Sequence, residues 1–448
     1  MKVVVIDDDP TGSQAVHSCL LLLRWDVQAL RRGLRHGSPL LFVLADTRSL
    51  SPDAAAQRNW EIVTNLETAL SEEGLDRSAI QLVSRGDSTL RGHGVVEPAV
   101  LESCFGPFAA TLHVPAFLEG GRTTVNGVHL LDGEPVHTTP FAKDRLFGFS
   151  TSELPNWLQE KSAGAIRAAD VVKVSLEDLD QASIGGMPQL IQRLAALQRN
   201  AAVVVDAEHQ SQLAALAAAV RALQGEKRFL FRSAASVVKA LADPGPQPLD
   251  SDGLAQLRRR GSNGEELPGL VMVGSHVPLA DQQLMCLLAD PRCIGLELPV
   301  RRIARVLDGG MADLLLPDLE REWCEQLQAL LQSGRTPVLF TSRGELRCAS
   351  EHEGRRLSCV LAELMGRLAA DFSPHLGYLI SKGGITTQTL LARGLVLESV
   401  QLEGQLLPGL SLVRPSEGPC CGLPILTFPG NLGRADTLRD AWQRMEAG

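Results

Sequence analysis

Short runs of β-branched and aliphatic residues alternate with longer stretches of helical spacing from one end of the chain to the other. In the first half, Val3 to Ile6, Leu40 to Leu44, Ile80 to Ser84, Leu112 to Ala116, Val171 to Val174, Ala202 to Asp206 and Arg228 to Phe231 predict strands. Apolar positions at helical spacing predict helices over Ala15 to Leu23, Pro52 to Leu70 and Gln210 to Leu223. The alternation resumes later, with strands expected at Leu270 to Val273, Ile294 to Leu298, Val338 to Thr341, Tyr378 to Ser381 and Ile425 to Phe428. Strands that alternate with helices in this way predict an α/β fold, each domain a mostly parallel sheet flanked by helices. Between the two series, Ala242 to Gly269 reads DPGPQPLDSDG, then a charged RRRGSNGEE and LPG, a texture expected to hold no regular core element. The expected organisation is a domain over 1–241, a linker over 242–269 and a smaller domain over 270–448, with a cleft between two lobes.

Length agrees with this, since 448 residues suffice for two or three domains. Lys and Arg number 43 against 52 Asp and Glu, a formal charge of -9, so no basic field exists to draw in a polyphosphate backbone. Aromatic residues make up 4%, with Tyr378 the single tyrosine, which leaves few rings for stacking bases. Nucleic acid is excluded as a partner on both counts. The nine cysteines are scattered, with no CxxC, and the pair Cys420 and Cys421 is assigned no chemistry. Apolar runs as short as Leu40 to Ala45 argue against a membrane span. A reduced, cytoplasmic location is expected, and a homodimer is expected on base rate alone.

In open α/β sheets ligands bind beyond the carboxyl ends of strands, where loops vary and helix N-termini turn free N–H groups outward. The first such loop is Asp7-Asp8-Asp9-Pro10-Thr11-Gly12-Ser13-Gln14. Three adjacent carboxylates repel one another, which is useful where they accept from hydroxyls, hold a cation or take a proton. The structural alternative is a strand end whose Asp9 or Thr11 caps a helix beginning near Ala15. The second loop runs from Ser84 to His93 and precedes a helix expected near Val95. Its Arg85, Asp87, Ser88, Thr89 and Arg91 suit a ligand with both a carboxylate and alcohols, because guanidinium forks grip carboxylates while a carboxylate receives alcohol protons. The alternative is an arginine paired to Asp87 within the loop, and His93 alone reads as a structural histidine. Arg48 and Arg122 sit at comparable junctions and would complete a positive pocket in an acidic protein.

Two loops in the second half carry glycines where backbone N–H groups can approach an anion at a helix N-terminus. One is Ser381-Lys382-Gly383-Gly384-Ile385-Thr386-Thr387; the other is Pro429-Gly430-Asn431-Leu432-Gly433. A single Gly-Gly turn is equally a plain tight turn, but two at equivalent junctions near Lys382 point to a nucleotide site, with Gly274-Ser275-His276 as a third wall. No GxxxxGK[ST], GxGxxG or GxSxG occurs.

Taken together, these residues resemble the four-carbon acid sugar kinase family over essentially the whole chain. The resemblance rests on Asp8, Asp9, Thr11 and Gly12, on DSTLRG from Asp87 to Gly92, on GRTTVNGVH from Gly121 to His129, on Gly383 to Thr386 and on Gly430 to Gly433. It implies a two-domain kinase whose N-terminal domain binds a tetronate-type acid such as threonate, erythronate or an oxidised relative. ATP would bind the C-terminal domain, and the active site would lie in the interdomain cleft. Acid-sugar contacts are implied at Asp8, Asp9, Arg48 and the segment Arg85, Gly86, Asp87 and Ser88. Nucleotide contacts are implied at Ser275, at Gly383, Gly384, Ile385 and Thr386, and at Gly430, Asn431, Leu432 and Gly433. The chain departs from the commoner pattern at Pro10, where an aromatic is usual, and at Arg85-Gly86, where a lysine and a hydrophobic residue are usual. It departs again at Ile385, where an acidic residue usually follows the glycines, and at Arg232-Ser233-Ala234-Ala235, which replaces a glycine-containing turn.

On this reading Arg48, Arg85 and one of Arg91 or Arg122 hold the carboxylate, Asp8 and Asp9 orient hydroxyls, and Asp87 is the general base. Asp9 is alternatively a catalytic metal contact, while ATP brings Mg2+. The competing expectations are a sugar-acid sensor without turnover and a nicotinamide-dependent dehydrogenase, the latter lacking its dinucleotide fingerprint.

Overall fold

The computed structural model describes residues 1–9, 12, 16–309, 312–344 and 351–448. Pro10, Thr11, Ser13, Gln14 and Ala15 of the first acidic loop therefore lie outside the described residues. Two compact units divide the chain at Pro246 and Gln247.

In the first unit the strands are β1 (Lys2–Asp7), β2 (Cys19–Leu22), β3 (Leu40–Leu44), β4 (Ile80–Arg85), β5 (Ala110–Val114), β6 (Arg122–Val125), β7 (Val128–Leu131), β8 (Glu134–Pro135), β9 (Val172–Val174), β10 (Ala201–Val205) and β11 (Phe229–Ser233). Eight of them form a parallel array in the order β2-β3-β1-β4-β11-β5-β10-β9. Their unbroken apolar runs follow from this, because a strand covered by helices on both faces has no wet side. Val4 and Ile6 of β1 and Leu41 and Val43 of β3 pack with Ile62, Leu66, Leu101 and Phe105 from the covering helices. Helix Pro52–Glu72 starts where Ser51 accepts from the Ala54 N–H with proline at the first turn, and helix Val96–Phe105 follows the β4 loop.

Two readings of the sequence are corrected here. The segment expected as a helix from Ala15 to Leu23 contains β2, which pairs in parallel with β3. A four-residue aliphatic run does not by itself separate a buried strand from a buried helix turn. The GRTTVNGVH stretch is a hairpin of β6 and β7, with Asn126 and Gly127 at φ 53° and 79° in its turn. Asp206 fixes that turn by accepting from the N–H groups of Asn126 (2.9 Å) and Gly127 (2.8 Å).

The second unit contains β12 (Gly269–Val273), β13 (Cys293–Leu298), β14 (Thr336–Thr341), β15 (Tyr378–Lys382), β16 (Ser399–Leu407), β17 (Leu410–Arg414) and β18 (Ile425–Phe428). The order is β13-β14-β12-β15-β18-β17-β16, parallel as far as β18 and antiparallel beyond. The segment expected to hold no core element carries a one-turn helix, Ser251–Ala255, capped by Asp250. Its Leu254 and Ala255 belong to this unit's core. Two apolar residues in one turn are too few to show a period among charged neighbours.

The two units wind their first four strands alike. In each, the second and third strands lie to one side of the first, and the fourth lies on the other, giving β2-β3-β1-β4 and β13-β14-β12-β15. Each unit therefore has a topological switch point, at β1/β4 and at β12/β15, where the loops diverge and leave a crevice beyond the carboxyl ends.

Candidate functional site

Parallel register brings Asp7, Arg85 and Ser233 abreast at the ends of β1, β4 and β11. The loops beyond them carry the charged residues. Arg48, after β3, donates to both oxygens of Asp8, through Nη2 at 2.7 Å and Nε at 3.2 Å, and through Nη1 to Asp9 at 3.0 Å. Arg85 reaches Asp7 at 3.2 Å and Asp8 at 3.5 Å. Asp87 accepts from Arg91 Nε at 2.7 Å and from Thr89, and Arg91 lies over the Phe141 ring. Asp8, Asp9, Arg48 and Arg85 form one ion-paired group, Asp87 and Arg91 form a second pair, and the charge of Arg48 acts on Asp87 across the gap between them.

The remaining residues singled out by sequence in this unit are placed differently. Ser88 gives its carbonyl to the His129 ring at 2.7 Å. Arg122 lies over Phe117, bonds the Gly120 carbonyl, and comes near enough to Asp87 to feel its charge. Gly86 has no room for a side chain, because a Cβ there would stand 2.3 Å from Arg232 Nη2. His93 bonds the Leu50 carbonyl at 3.1 Å, in keeping with its structural reading.

Burial pushes the Asp7 carboxyl up to about 7, with Arg85 opposing and Asp8 and Asp9 adding to it. Asp46, beside Arg48, is likewise pushed up to about 7 by burial and then by Asp9. Burial acts to raise Asp87 too, but the guanidinium groups of Arg48 and Arg91 outweigh it and hold that carboxyl well below the usual range. Asp87 is therefore a firmly ionised acceptor, and Asp7 is a carboxyl that exchanges its proton near neutrality.

In the second unit, Gly274-Ser275-His276 after β12 meets Gly383 to Thr386 after β15 in a cavity of about 260 Å3. Thr341 and helix Glu351–Phe372, through Ser358, Leu361, Ala362 and Met365, supply its other side. A Cβ at Gly274 would lie 2.0 Å from Thr386 Oγ1, and one at Gly430 would lie 2.5 Å from Ser275 Oγ. Gly383 has φ +121°, which only glycine adopts freely. The backbone is thus bare where the three loops meet, as a phosphate cradle requires. A larger adjoining cavity of about 600 Å3 shares His276, Ser358 and Leu361 and includes Arg343. Ile385 is exposed, as are Asn431 and Gly433, whereas Leu432 packs on Gly409 and gives its carbonyl to Gln283. Lys382, expected beside the phosphates, is wholly buried over Phe428 and donates to the carbonyls of Pro429 and Gly430.

Sequence reasoning assigns no role to two arginines of these crevices, although Arg232 stands out there as a departure from the family pattern. Arg232 pairs with Glu97 and donates to Ser84 Oγ at 2.8 Å, and Glu97 also accepts from Thr47. Arg343 braces the β12 loop by donating to the carbonyls of Val273 (3.0 Å) and Ser275 (2.7 Å) and to Asp281 (2.8 Å). The available signal was position: each arginine ends a strand run that neighbours a recognised loop. Among the described residues no group of three His, Cys, Asp or Glu is arranged to hold a metal ion, and no helix is long and apolar enough to cross a membrane.

Comparison with known proteins agrees with this division. Residues 3–241 match the family described as a sugar-binding N-terminal domain, and residues 270–438 match the one described as a nucleotide-binding C-terminal domain. The molecule is thus a two-domain protein pairing a sugar-binding with a nucleotide-binding half. The chain belongs to the four-carbon acid sugar kinase family, phosphotransferases with an alcohol group as acceptor. It is 29% identical to a D-threonate kinase of Cupriavidus necator, over 89% of this chain and 86% of that one. It is 26% identical to a D-threonate kinase of Salmonella typhimurium, over 100% and 99%, and 23% identical to a D-erythronate kinase of Heliobacterium modesticaldum, over 97% and 95%. Among solved structures it is similar in fold to a Salmonella typhimurium LT2 protein described as a putative tRNA synthase, with TM-score 0.69, 16% identity and 98% of each chain covered. A Haemophilus influenzae protein from a domain family of unknown function gives TM-score 0.65 at 17% identity, covering 98% of this chain and 99% of that one.

Proposed function

We propose that this enzyme transfers the γ-phosphoryl group of ATP to the terminal hydroxyl of a four-carbon acid sugar, a threonate, an erythronate or an oxo relative, in the cytoplasm. The observation that carries the reading is the contrast between the two switch points: one lined by guanidinium and carboxylate groups, the other by bare backbone around Ser275, Gly383 and Gly430.

Phosphoryl transfer asks the protein chiefly for alignment and charge neutralisation. Arg85 and Arg122 each keep a buried Nε without a partner among the described residues, which suits them to grip the sugar carboxylate. Arg91 adds to the positive field there. Asp8 and Asp9, held rigid by Arg48, accept from the sugar hydroxyls. Asp87 receives the hydrogen bond of the attacking hydroxyl; a weak base suffices where that proton leaves late. Ser275, Gly383 to Thr386 and Gly430 with Asn431 cradle the ATP phosphates, while Leu432 and Gly433 shape the same loop. Mg2+ would enter with ATP, its shell drawn from phosphate oxygens and water, with Asp9 as the carboxylate offered to it.

The test is ADP release by the intact protein over a panel of four-carbon acids. ADP formation that depends on one of them supports the reading. Saturable acid binding without ADP by the intact protein overturns it in favour of a sensor.

A further inference from the structure

Behind Asp87 the sugar-binding unit holds a small pocket that the proposed chemistry leaves unused. Gly86, Asp87 and Arg91, which belong to or adjoin the charged groups, line it together with Trp157, Arg232 and Ser233, Gly86 lying directly against the Arg232 guanidinium. It encloses about 30 Å3, more than the ~10–15 Å3 that one buried water needs. A hydroxymethyl group fits a space of that size.

Leu90, Pro115, Leu154 and Leu158 make much of its lining apolar, and several donors around it lack partners. Trp157 Nε1 and Ser233 Oγ are buried and have no hydrogen-bond partner among the described residues. The Arg232 guanidinium spends Nη1 on Ser84 and Glu97, and no acceptor among the described residues meets its Nη2 edge. That edge occupies the place a side chain at position 86 would fill, so the glycine is what admits the arginine to the pocket wall. His113 on the same wall is kept neutral, since burial and then Arg232 lower it to about 3. Buried donors left unmatched are costly, and a ligand oxygen placed among them relieves that cost. Because Glu97 already balances the charge of Arg232, the pocket suits a neutral oxygen, a hydroxyl or carbonyl, better than a second carboxylate.

We propose that this pocket extends the acid-sugar site by one oxygenated carbon, so that the enzyme accepts five-carbon acid sugars whose additional hydroxyl lodges among Trp157, Arg232 and Ser233. The inference rests on the reading of this unit as the acid-sugar site.

The experiment is calorimetric titration of the full chain, without ATP, with D-threonate, D-erythronate and the stereoisomeric pentonates. At least one pentonate is expected to bind as tightly as the better tetronate. In Ser233→Ala, which removes one donor with little change of shape, the ratio of pentonate to tetronate Kd should rise about fivefold, the weight of one hydrogen bond. Gly86→Ala, which presses a methyl group on Arg232, should move the ratio the same way. The proposal is overturned if every pentonate binds ten or more times weaker than the tetronates, or if the ratio stays fixed in the folded variants. ADP formation, measured separately with the tetronates, judges the kinase reading: if no tetronate yields ADP while a pentonate binds through this pocket, the subsite stands and the kinase reading falls.

Discussion

Lys382 Nζ lies 3.2 Å from the carbonyl oxygen of Gly430, so the side chain that ends β15 is tied to the loop that follows β18. A second bond, to the Pro429 carbonyl at 3.0 Å, completes the tie, and the ammonium sits 3.8 Å from the centre of the Phe428 ring. Burial lowers this amine to about 7. Even when neutral it keeps two N–H donors, enough for both carbonyls, so the tie survives on either side of neutrality. Lys382→Met should therefore loosen the Pro429 to Gly433 loop and raise the Kd for ATP about tenfold while moving the acid-sugar Kd less than twofold. Titrations with each ligand alone check this, and equal losses for both would reduce Lys382 to a general stabiliser.

Much of the parallel framework could be read along the chain because strands buried on both faces announce themselves as unbroken aliphatic runs, as in Val3 to Ile6 and Leu270 to Val273. What escaped was of another kind. The β16 strand shows a strict inside-outside alternation from Ser399 to Leu407, a pattern that carries no continuous aliphatic run. Gly86 and Arg232 were each legible as departures from a family pattern, 146 positions apart, but only pairing of β4 with β11 makes them one feature. The loops at Asp8, Asp87 and Gly383 were legible since a sheet places its ligands at strand ends; how Lys382 turns inward was not, because a lysine beside glycines gives no sign of its direction.

Asp87→Asn tests the division of labour in the sugar unit. Asn keeps the shape and can still meet Thr89 and Arg91, but it cannot draw the proton from the attacking hydroxyl. Turnover should fall by about 100-fold or more, with the acid-sugar Kd changed by less than about tenfold. A variant that binds and turns over normally would remove Asp87 from the chemistry.

The buried Asp7 makes stability depend on pH in a definite direction. Its folded value of about 7 exceeds the ordinary 3.8, so the native state holds a proton that the unfolded chain has already lost. Stability should consequently decline as pH rises from about 4 to about 7 and level off above that. Asp46 contributes in the same sense. Denaturant midpoints from pH 4.5 to 8 should show this fall in the native chain and a shallower one in Asp7→Asn. An identical slope in the variant would mean that Asp7 is ionised throughout.

Gly383 offers the sharpest test of the nucleotide cradle, since both its conformation and its surroundings exclude a side chain. Its φ of +121° strains any other residue, and a Cβ would also stand 3.2 Å from the Ser275 backbone nitrogen, close enough that the two must move apart by a few tenths of an ångström. Residues forced into such backbone regions cost of order 1–3 kcal/mol. Gly383→Ala should thus lower the melting temperature by a few degrees and shift the Ser275 N–H away from the cavity it lines. ATP affinity should fall by more than tenfold, and thermal-shift titrations with Mg-ATP should lose their upward displacement while those with the acid sugar retain it. If Mg-ATP still raises the melting point of the variant as it does that of the native chain, the phosphates do not rest on this loop and the nucleotide must bind elsewhere in the unit.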